Sequence, residues 1–245
     1  MTAVLVIAGT DSSGGAGLAR DVATLTSFGV DALVAVTAAT AQTDTEVMAV
    51  EALPAPLVRA QINAALATRR ATAVKTGMLG NGAIVEAVAG AIPPRELVPL
   101  VLDPVLAATS GGALLDAAGR AALLALLVPR ATLLTPNIPE AALLLGVPPA
   151  ASDDEIIEQG RALCARGAAA ALMKGGHAAG TLAVDWLVTR ASVHRLAAPR
   201  VAAARRGTGC ALASAIAAGL AARMPLEVAC QRAKQHVTEL LQQAA

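Results

Sequence analysis

Short apolar runs that end in polar or glycine-rich turns recur along this chain and constrain its fold more than any other feature. AVLVIAG, ALVAVTA, AVKTGM, LVPLVLDP, TLLTPN and AALMKGG carry apolar residues at consecutive positions rather than in alternation. Strands of that kind are buried on both faces, as in a parallel sheet covered by helices. The segments between them have helical character: Ala16 to Phe28, Pro56 to Arg69, Gly82 to Ala91, Asp116 to Leu127, Pro139 to Leu145 and Ser152 to Arg166. Ser152 ahead of DDEI suits an N-cap with acids in the first turn. LAVDWLVT and ASVHRLA read as a hairpin turned at Arg190, followed by a pair of closing helices. Leu212, Ile216 and Leu220 mark one face of the first; Ala229, Ala233, Val237 and Leu240 lie on one side of the second. The alternation predicts an α/β fold, a mostly parallel central sheet with helices on both faces. No linker or repeat divides it, so one domain over residues 1–245 is expected.

Composition excludes several classes of function. Hydrophobic residues make up 56% of the chain, yet the aromatics are only Phe28 and Trp186, so no stacking platform for nucleic-acid bases is available. The net charge is +1 with Lys and Arg scattered, which argues against a polyanion or a membrane surface as partner. Gly207 to Ala222, between Arg206 and Arg223, is the stretch most like a membrane span. It is mostly Ala and shorter than the roughly 20 strongly apolar residues a span needs. Ala3 to Ala8 lacks the basic region and the length of a signal peptide. A soluble, cytoplasmic protein is expected. Cys164, Cys210 and Cys230 have no CxxC spacing, so neither a disulfide framework nor a zinc site is indicated.

In an open parallel sheet, ligands bind outside the carboxyl ends of the strands, and the turn clusters fall there. GTDSSGGAG (residues 9–17) has the Gly9 to Gly14 spacing of a P-loop. Gly15 and Ala16, however, stand where Lys and Ser/Thr belong. It is a weak phosphate cradle, and a tight connection capped by Asp11, Ser12 or Ser13 is the plainer reading. RRGTGCALASAIAAG (205–219) is the stronger anion site: Gly207, Thr208 and Gly209 lead into a helix whose free amides and dipole favour an anion. Arg205 or Arg206 can add charge. Cys210 falls in the first turn, where a thiol's pKa tends to be lowered; alternatively it is a small buried hydrophobe beside glycines that permit close packing.

TPNIPE sets Asn137 and Glu140 one helical turn apart, suited to Mg²⁺ with its few protein ligands or to a capping box. Asp103 ends a buried strand and needs a cation or hydrogen-bond donors, which allows a metal or phosphate role. Lys174 in MKGGH can serve as a phosphate point charge or be a solvated turn lysine. Gln42 has a carboxamide able to read a heteroaromatic edge, and Met78 can form an apolar wall or pack in the core. His194 and His236 are read as surface residues.

In this order, IAGTDSSGGAGLARD, TAATAQT, VKTGML, VLDPV, LLTPNIPEA, LMKGGH and GTGCALASAIAAGL resemble the hydroxymethylpyrimidine/phosphomethylpyrimidine kinases of the ribokinase-like superfamily. The resemblance runs from about Val4 to the last helix. It implies Mg-ATP-dependent phosphorylation of 4-amino-5-hydroxymethyl-2-methylpyrimidine and of its monophosphate, in thiamine biosynthesis. It also implies a pyrimidine site formed by Gly9, Asp11, Ala16, Gln42, Met78 and Val105. Mg²⁺ and phosphate fall to Asn137 and Glu140, and the nucleotide to Lys174, Asp103 and Thr208. The anion hole is Gly207, Thr208 and Gly209, with Cys210 where sugar kinases of the superfamily carry an aspartate base. A homodimer is expected by the same likeness. Ser12 replaces the family's usual proline, Ala23 a lysine, Thr43 an asparagine and Arg206 a histidine. A pyridoxal kinase and a non-catalytic pyrimidine-binding module are the rival readings.

Overall fold

The computed structural model describes residues 2–107, 112–175, 180–203 and 205–244. Strand β1 (Ala3–Ala8) is buried along its whole length. Its residues are at most 1% exposed, Leu5 and Ile7 facing one core and Val4, Val6 and Ala8 the other. That double burial is why the run reads as uninterrupted apolar sequence. Helix α1 (Gly17–Ser27) leads to β2 (Asp31–Val36), which pairs parallel with β1 along its whole length. Strands β3 (Ala38–Gln42) and β4 (Val47–Ala52) form a separate antiparallel hairpin. Helix α2 (Ala55–Thr68), β5 (Ala73–Thr76), α3 (Gly82–Ala91) and β6 (Leu100–Leu102) follow.

Helix α4 (Ala117–Ala122) widens into a π turn at Leu123–Leu127 and tightens into a 3-10 turn at Val128–Arg130. The continuous helix expected from Asp116 to Leu127 is therefore interrupted, with Leu123 and Leu127 both in the core. Next come β7 (Leu133–Leu134), α5 (Ile138–Leu145), α6 (Asp153–Ala165) and β8 (Ala170–Lys174). Ser152 caps α6 as expected, its hydroxyl accepting the Glu155 N–H at 3.2 Å. The expected hairpin is β9 (Leu182–Thr189) with β10 (Val193–Pro199), and α7 (Thr208–Ala221) and α8 (Leu226–Gln242) close the chain.

The main sheet has the order β10-β9-β8-β7-β6-β5-β1-β2, parallel from β2 to β8 and antiparallel at β9 and β10. Helices α1, α7 and α8 cover one face and α2 to α6 the other. The α/β sheet with helices on both faces is the expected architecture. The alanine-rich stretch that resembled a membrane span is α7, a core helix. Its Gly219 lets α8 approach so closely that a Cβ there would lie 2.8 Å from Ala229 Cβ. Among the described residues no helix is long and apolar enough to cross a membrane. His236 is not a plain surface residue: its ring packs edge-on against Phe28, with centroids 5.0 Å apart. His194 is half-buried, 3.1 Å from Glu227.

Candidate active site

The carboxyl ends of the parallel strands deliver most of the predicted residues to one edge of the sheet. Gly9 follows β1, Met78 follows β5, Asp103 and Val105 follow β6, Asn137 follows β7, and Lys174 ends β8. Gly9 is tightly packed, since a Cβ would lie 3.1 Å from Met78 Sδ and 3.4 Å from the Ala38 carbonyl. Met78 is thereby packed on the opening glycine, and its own carbonyl accepts the Thr37 hydroxyl at 2.6 Å. Val105 is half-buried, held by a turn in which its N–H donates to Asp103 O at 2.9 Å. Gln42 ends β3 at a register shift between Ala41 and Gln42.

The opening loop and the GTGC box meet. Gly207 is the N-cap of α7 in the left-handed region (φ 75°), and a Cβ on it would run into the Gly15 carbonyl and the Ala16 backbone. Gly17 (φ 57°) lies just as close to the Gly9 carbonyl, which accepts the Leu18 N–H at 3.0 Å. Asp11 organises this loop: its carboxylate accepts Ser13 N–H at 3.0 Å and Ala16 N–H at 2.8 Å. Asp11 is thus the loop's internal cap, which is the plainer reading of GTDSSGGAG.

On the anion side, the first intrahelical bond of α7 runs from Ala211 N to Gly207 O at 2.8 Å. The amides of Thr208, Gly209 and Cys210 precede it, as helix-terminal donors do. The Lys174 ammonium faces them, 3.5 Å from where a Cβ on Gly209 would stand. Neither nearby arginine adds charge there. Arg205 donates to Leu240 O at 3.1 Å, and Arg206 pairs with Asp11 at 3.1 Å.

Asp103 finds the partners its burial demands: Lys174 Nζ and Thr135 Oγ1 each donate to its Oδ1 at 3.0 Å. Burial pulls the Lys174 pKa down, but Asp103 and Glu140 outweigh it and hold the ammonium above its ordinary range. Lys174 is not a solvated turn lysine. Asn137 and Glu140 form a reciprocal capping box, Glu140 N–H to Asn137 Oδ1 and Asn137 N–H to Glu140 Oε2, both at 2.8 Å. Burial raises the Glu140 carboxyl, with Lys174 opposing and Asp103 reinforcing the rise. Gly176 and His177 of MKGGH lie outside the described residues.

Cys210 departs from expectation. Burial pushes its thiol up to about 11, with Lys75 pulling it down and Asp21 and Asp103 reinforcing the rise. The helix-terminal position that argued for a lowered value is outweighed by the partial burial of the thiol, which is half-buried at the start of α7. Beneath it lies a network the motifs did not reveal. Lys75 Nζ donates to both Asp21 oxygens at 2.8 Å, Ser214 Oγ donates to Asp21 Oδ1 at 2.8 Å, and Lys75 and Asp21 are wholly buried. The available signal was a lone lysine in the apolar run AVKTGM, which a buried strand tolerates only with a counter-charge. Asp185 was equally unmarked: it accepts Gly175 N–H at 3.0 Å and Lys234 Nζ at 2.7 Å, fixing the turn after Lys174.

A sequence model described as phosphomethylpyrimidine kinase matches residues 11–245. The chain belongs to the phosphomethylpyrimidine kinase family. Its relatives include the hydroxymethylpyrimidine/phosphomethylpyrimidine kinase of Escherichia coli (strain K12), 42% identical over 215 residues, or 87% of this chain and 81% of that protein. Among solved structures, the phosphomethylpyrimidine kinase of Clostridium difficile 630 superposes with a TM-score of 0.84 at 33% identity, covering 98% of this chain and 99% of that one. The pyridoxal kinase of Staphylococcus aureus in complex with pyridoxal has a TM-score of 0.89 at 28% identity, covering 99% and 88%. The sheet and its two helical faces are thus the ribokinase-like fold of these kinases, and the phosphomethylpyrimidine kinase motifs lie along its strand ends.

Proposed function

We propose that this chain, as one kinase domain, transfers the γ-phosphoryl group of ATP to the alcohol of 4-amino-5-hydroxymethyl-2-methylpyrimidine and then to the resulting monophosphate, in thiamine biosynthesis. The observation that carries the reading is the abutment of the acceptor loop on the anion site through Gly15 and Gly207. A flat ring held by Gly9, Ala16, Gln42, Met78 and Val105 would present its hydroxymethyl arm to the amides of Gly207, Thr208, Gly209 and Cys210.

The alcohol oxygen forms the new P–O bond as the bond to ADP breaks, and the hydroxyl proton passes late, in a loose transition state, to an oxygen of the transferred phosphoryl group and on to solvent. Helix-terminal amides and Lys174 receive the charge on the transferring group. Cys210, a thiol at neutral pH, lines the hole; its raised pKa supports that role over a resting thiolate base. The donor set suits Mg²⁺, being the hard oxygens of Asn137 and Glu140 beside Asp103. Because Asn137 and Glu140 already cap each other, they would hold the ion through its waters. Bound there, it would neutralise phosphate charge.

ADP release measured with the pyrimidine alcohol, its monophosphate and pyridoxal tests the proposal. Turnover of the first two is expected. Preference for pyridoxal would favour the rival kinase, and silence with all three would favour a binding module. Dependence on ATP supports a cytoplasmic location. Homodimerisation is supported by the solvent-facing Met48 and Val50 of the hairpin, 68% and 41% exposed; a monomeric mass by light scattering would overturn it.

A further inference from the structure

One guanidinium joins three parts of the site that are remote in sequence. Arg206, directly ahead of the α7 N-cap, donates through Nη2 to Asp11 Oδ2 at 3.1 Å and through Nη1 to Ser13 Oγ at 3.0 Å. The same Nη1 reaches the Thr43 carbonyl in the β3–β4 turn and stands 3.5 Å from Asp44 Oδ1. The pair with Asp11 is shielded, the side chains being 19% and 3% exposed. A second pin lies beside it: Ser12 Oγ accepts the Gln42 N–H at 2.7 Å and donates to the Gln42 carbonyl at 2.8 Å. Gln42 sits at the register shift of β3. Its own backbone is therefore held by Ser12, and the next carbonyl along by Arg206. A planar fork suits this task, since it can bond carboxylate, hydroxyl and carbonyl at once where an ammonium cannot match the geometry.

We propose that Arg206 is a positioning residue for acceptor recognition, latching the hairpin turn to the opening loop so that Gln42 is aimed at the acceptor ring. This rests on the proposed acceptor role of Gln42 but not on the chemistry of transfer. While Lys174 is committed to Asp103 on the anion side, Arg206 is committed to Asp11, Ser13 and the turn. Its loss should therefore loosen the acceptor and leave the nucleotide untouched.

The test compares wild type with Arg206→Gln, Arg206→Lys and Ser12→Ala by amide exchange at residues 42–46 and by steady-state kinetics with the pyrimidine alcohol and with ATP. Loss of a charge-assisted contact in Arg206→Gln should raise acceptor KM about tenfold, with kcat and the KM for ATP little changed and exchange at 42–46 faster. Arg206→Lys, keeping the charge but not the fork, should fall between. Ser12→Ala removes an exposed hydroxyl, folds without difficulty, and should shift acceptor KM and local exchange in the same direction. Unchanged exchange at 42–46 in Arg206→Gln and Ser12→Ala overturns the latch. So does a loss confined to kcat or shared equally by ATP. If the wild type phosphorylates none of the acceptors, the functional reading fails while the exchange data still decide the latch.

Discussion

The Lys174 ammonium donates to Asp103 Oδ1 at 3.0 Å and lies 3.9 Å from Glu140 Oε2. One cation thus neutralises two carboxylates that the ends of β6 and β7 bring to the same corner. Thr135 shares the Asp103 oxygen at 3.0 Å, so this corner is satisfied without any ligand. A phosphate arriving at the α7 amides shares Lys174 with Asp103, while Mg²⁺ would take over part of the carboxylate charge. The proposed nucleotide site is therefore pre-organised by the same pair that stabilises the fold.

Lys174→Met should accordingly damage both function and stability. Removing one donor to the transferring group costs about 100- to 1,000-fold in kcat. Leaving Asp103 without its cation costs about 3 kcal/mol or more. Turnover assays and urea denaturation measure the effects separately. Normal stability with lost activity would mean that Asp103 finds another partner; normal activity would remove Lys174 from the phosphate site.

Gly207→Ala should fail for a geometric reason. The position needs φ 75°, and a Cβ would strike the Gly15 carbonyl. The left-handed conformation alone costs about 1 kcal/mol for alanine, and the collision forces the opening loop away from α7. Kinase activity should drop by more than the loss of stability explains. Gly14→Ala also has positive φ (72°) but nothing within 4 Å of its Cβ, and should be far milder. Equal effects from the two substitutions would refute the argument.

Most of the sheet was legible because β1, β5, β6 and β8 are buried on both faces and so read as apolar runs. The β3–β4 hairpin was not: AATAQ and VMAVEA carry alanines and exposed positions, giving neither a buried run nor a strong alternation. Gln42 was singled out for its chemistry, but its place on that hairpin was hidden. Capping at Asn137 and Glu140 could be read because both partners lie within one turn. The Arg206–Asp11 pair spans 195 positions, and no local pattern encodes it. The raised Cys210 thiol was hidden for the same kind of reason. A helix-terminal position is visible in the sequence, whereas the packing of Gly17, Lys75 and Asp21 around the thiol is not.

The Lys75–Asp21 pair should behave as a buried ion pair. Asp21→Asn or Lys75→Met alone leaves a wholly buried partner uncompensated, at a cost of about 3–5 kcal/mol. Replacing both with apolar residues should recover much of that loss, because the desolvation penalty disappears with the charges. A double-mutant cycle by chemical denaturation reads the coupling. Additive losses would mean that the two side chains act on the fold independently, and the network would have no standing as a unit.

The Cys210 thiol, held up to about 11, carries the last prediction. Between pH 7 and 9 it stays protonated, so kcat should show no inflection from a cysteine base, and iodoacetamide should modify it slowly. Cys210→Ala should still lower kcat, because the thiol lines the proposed anion hole and its loss leaves a gap beside the transferring group, with ATP binding retained. Stability should follow the opposite limb of the titration. Above pH 9, near the ordinary value, the unfolded thiol loses its proton while the folded one keeps it, so the unfolded state binds fewer protons. Stability then falls as pH rises, by about 1.4 kcal/mol per pH unit for each such thiol. For Cys210 the fall ends near 11, where the folded thiol ionises too. Cys230, pushed up to about 12 by burial, extends the same trend. Urea denaturation at stepped pH should show a shallower decline in Cys210→Ala than in the wild type. An equal decline would mean that the folded Cys210 thiol ionises at its ordinary value and that burial does not raise it.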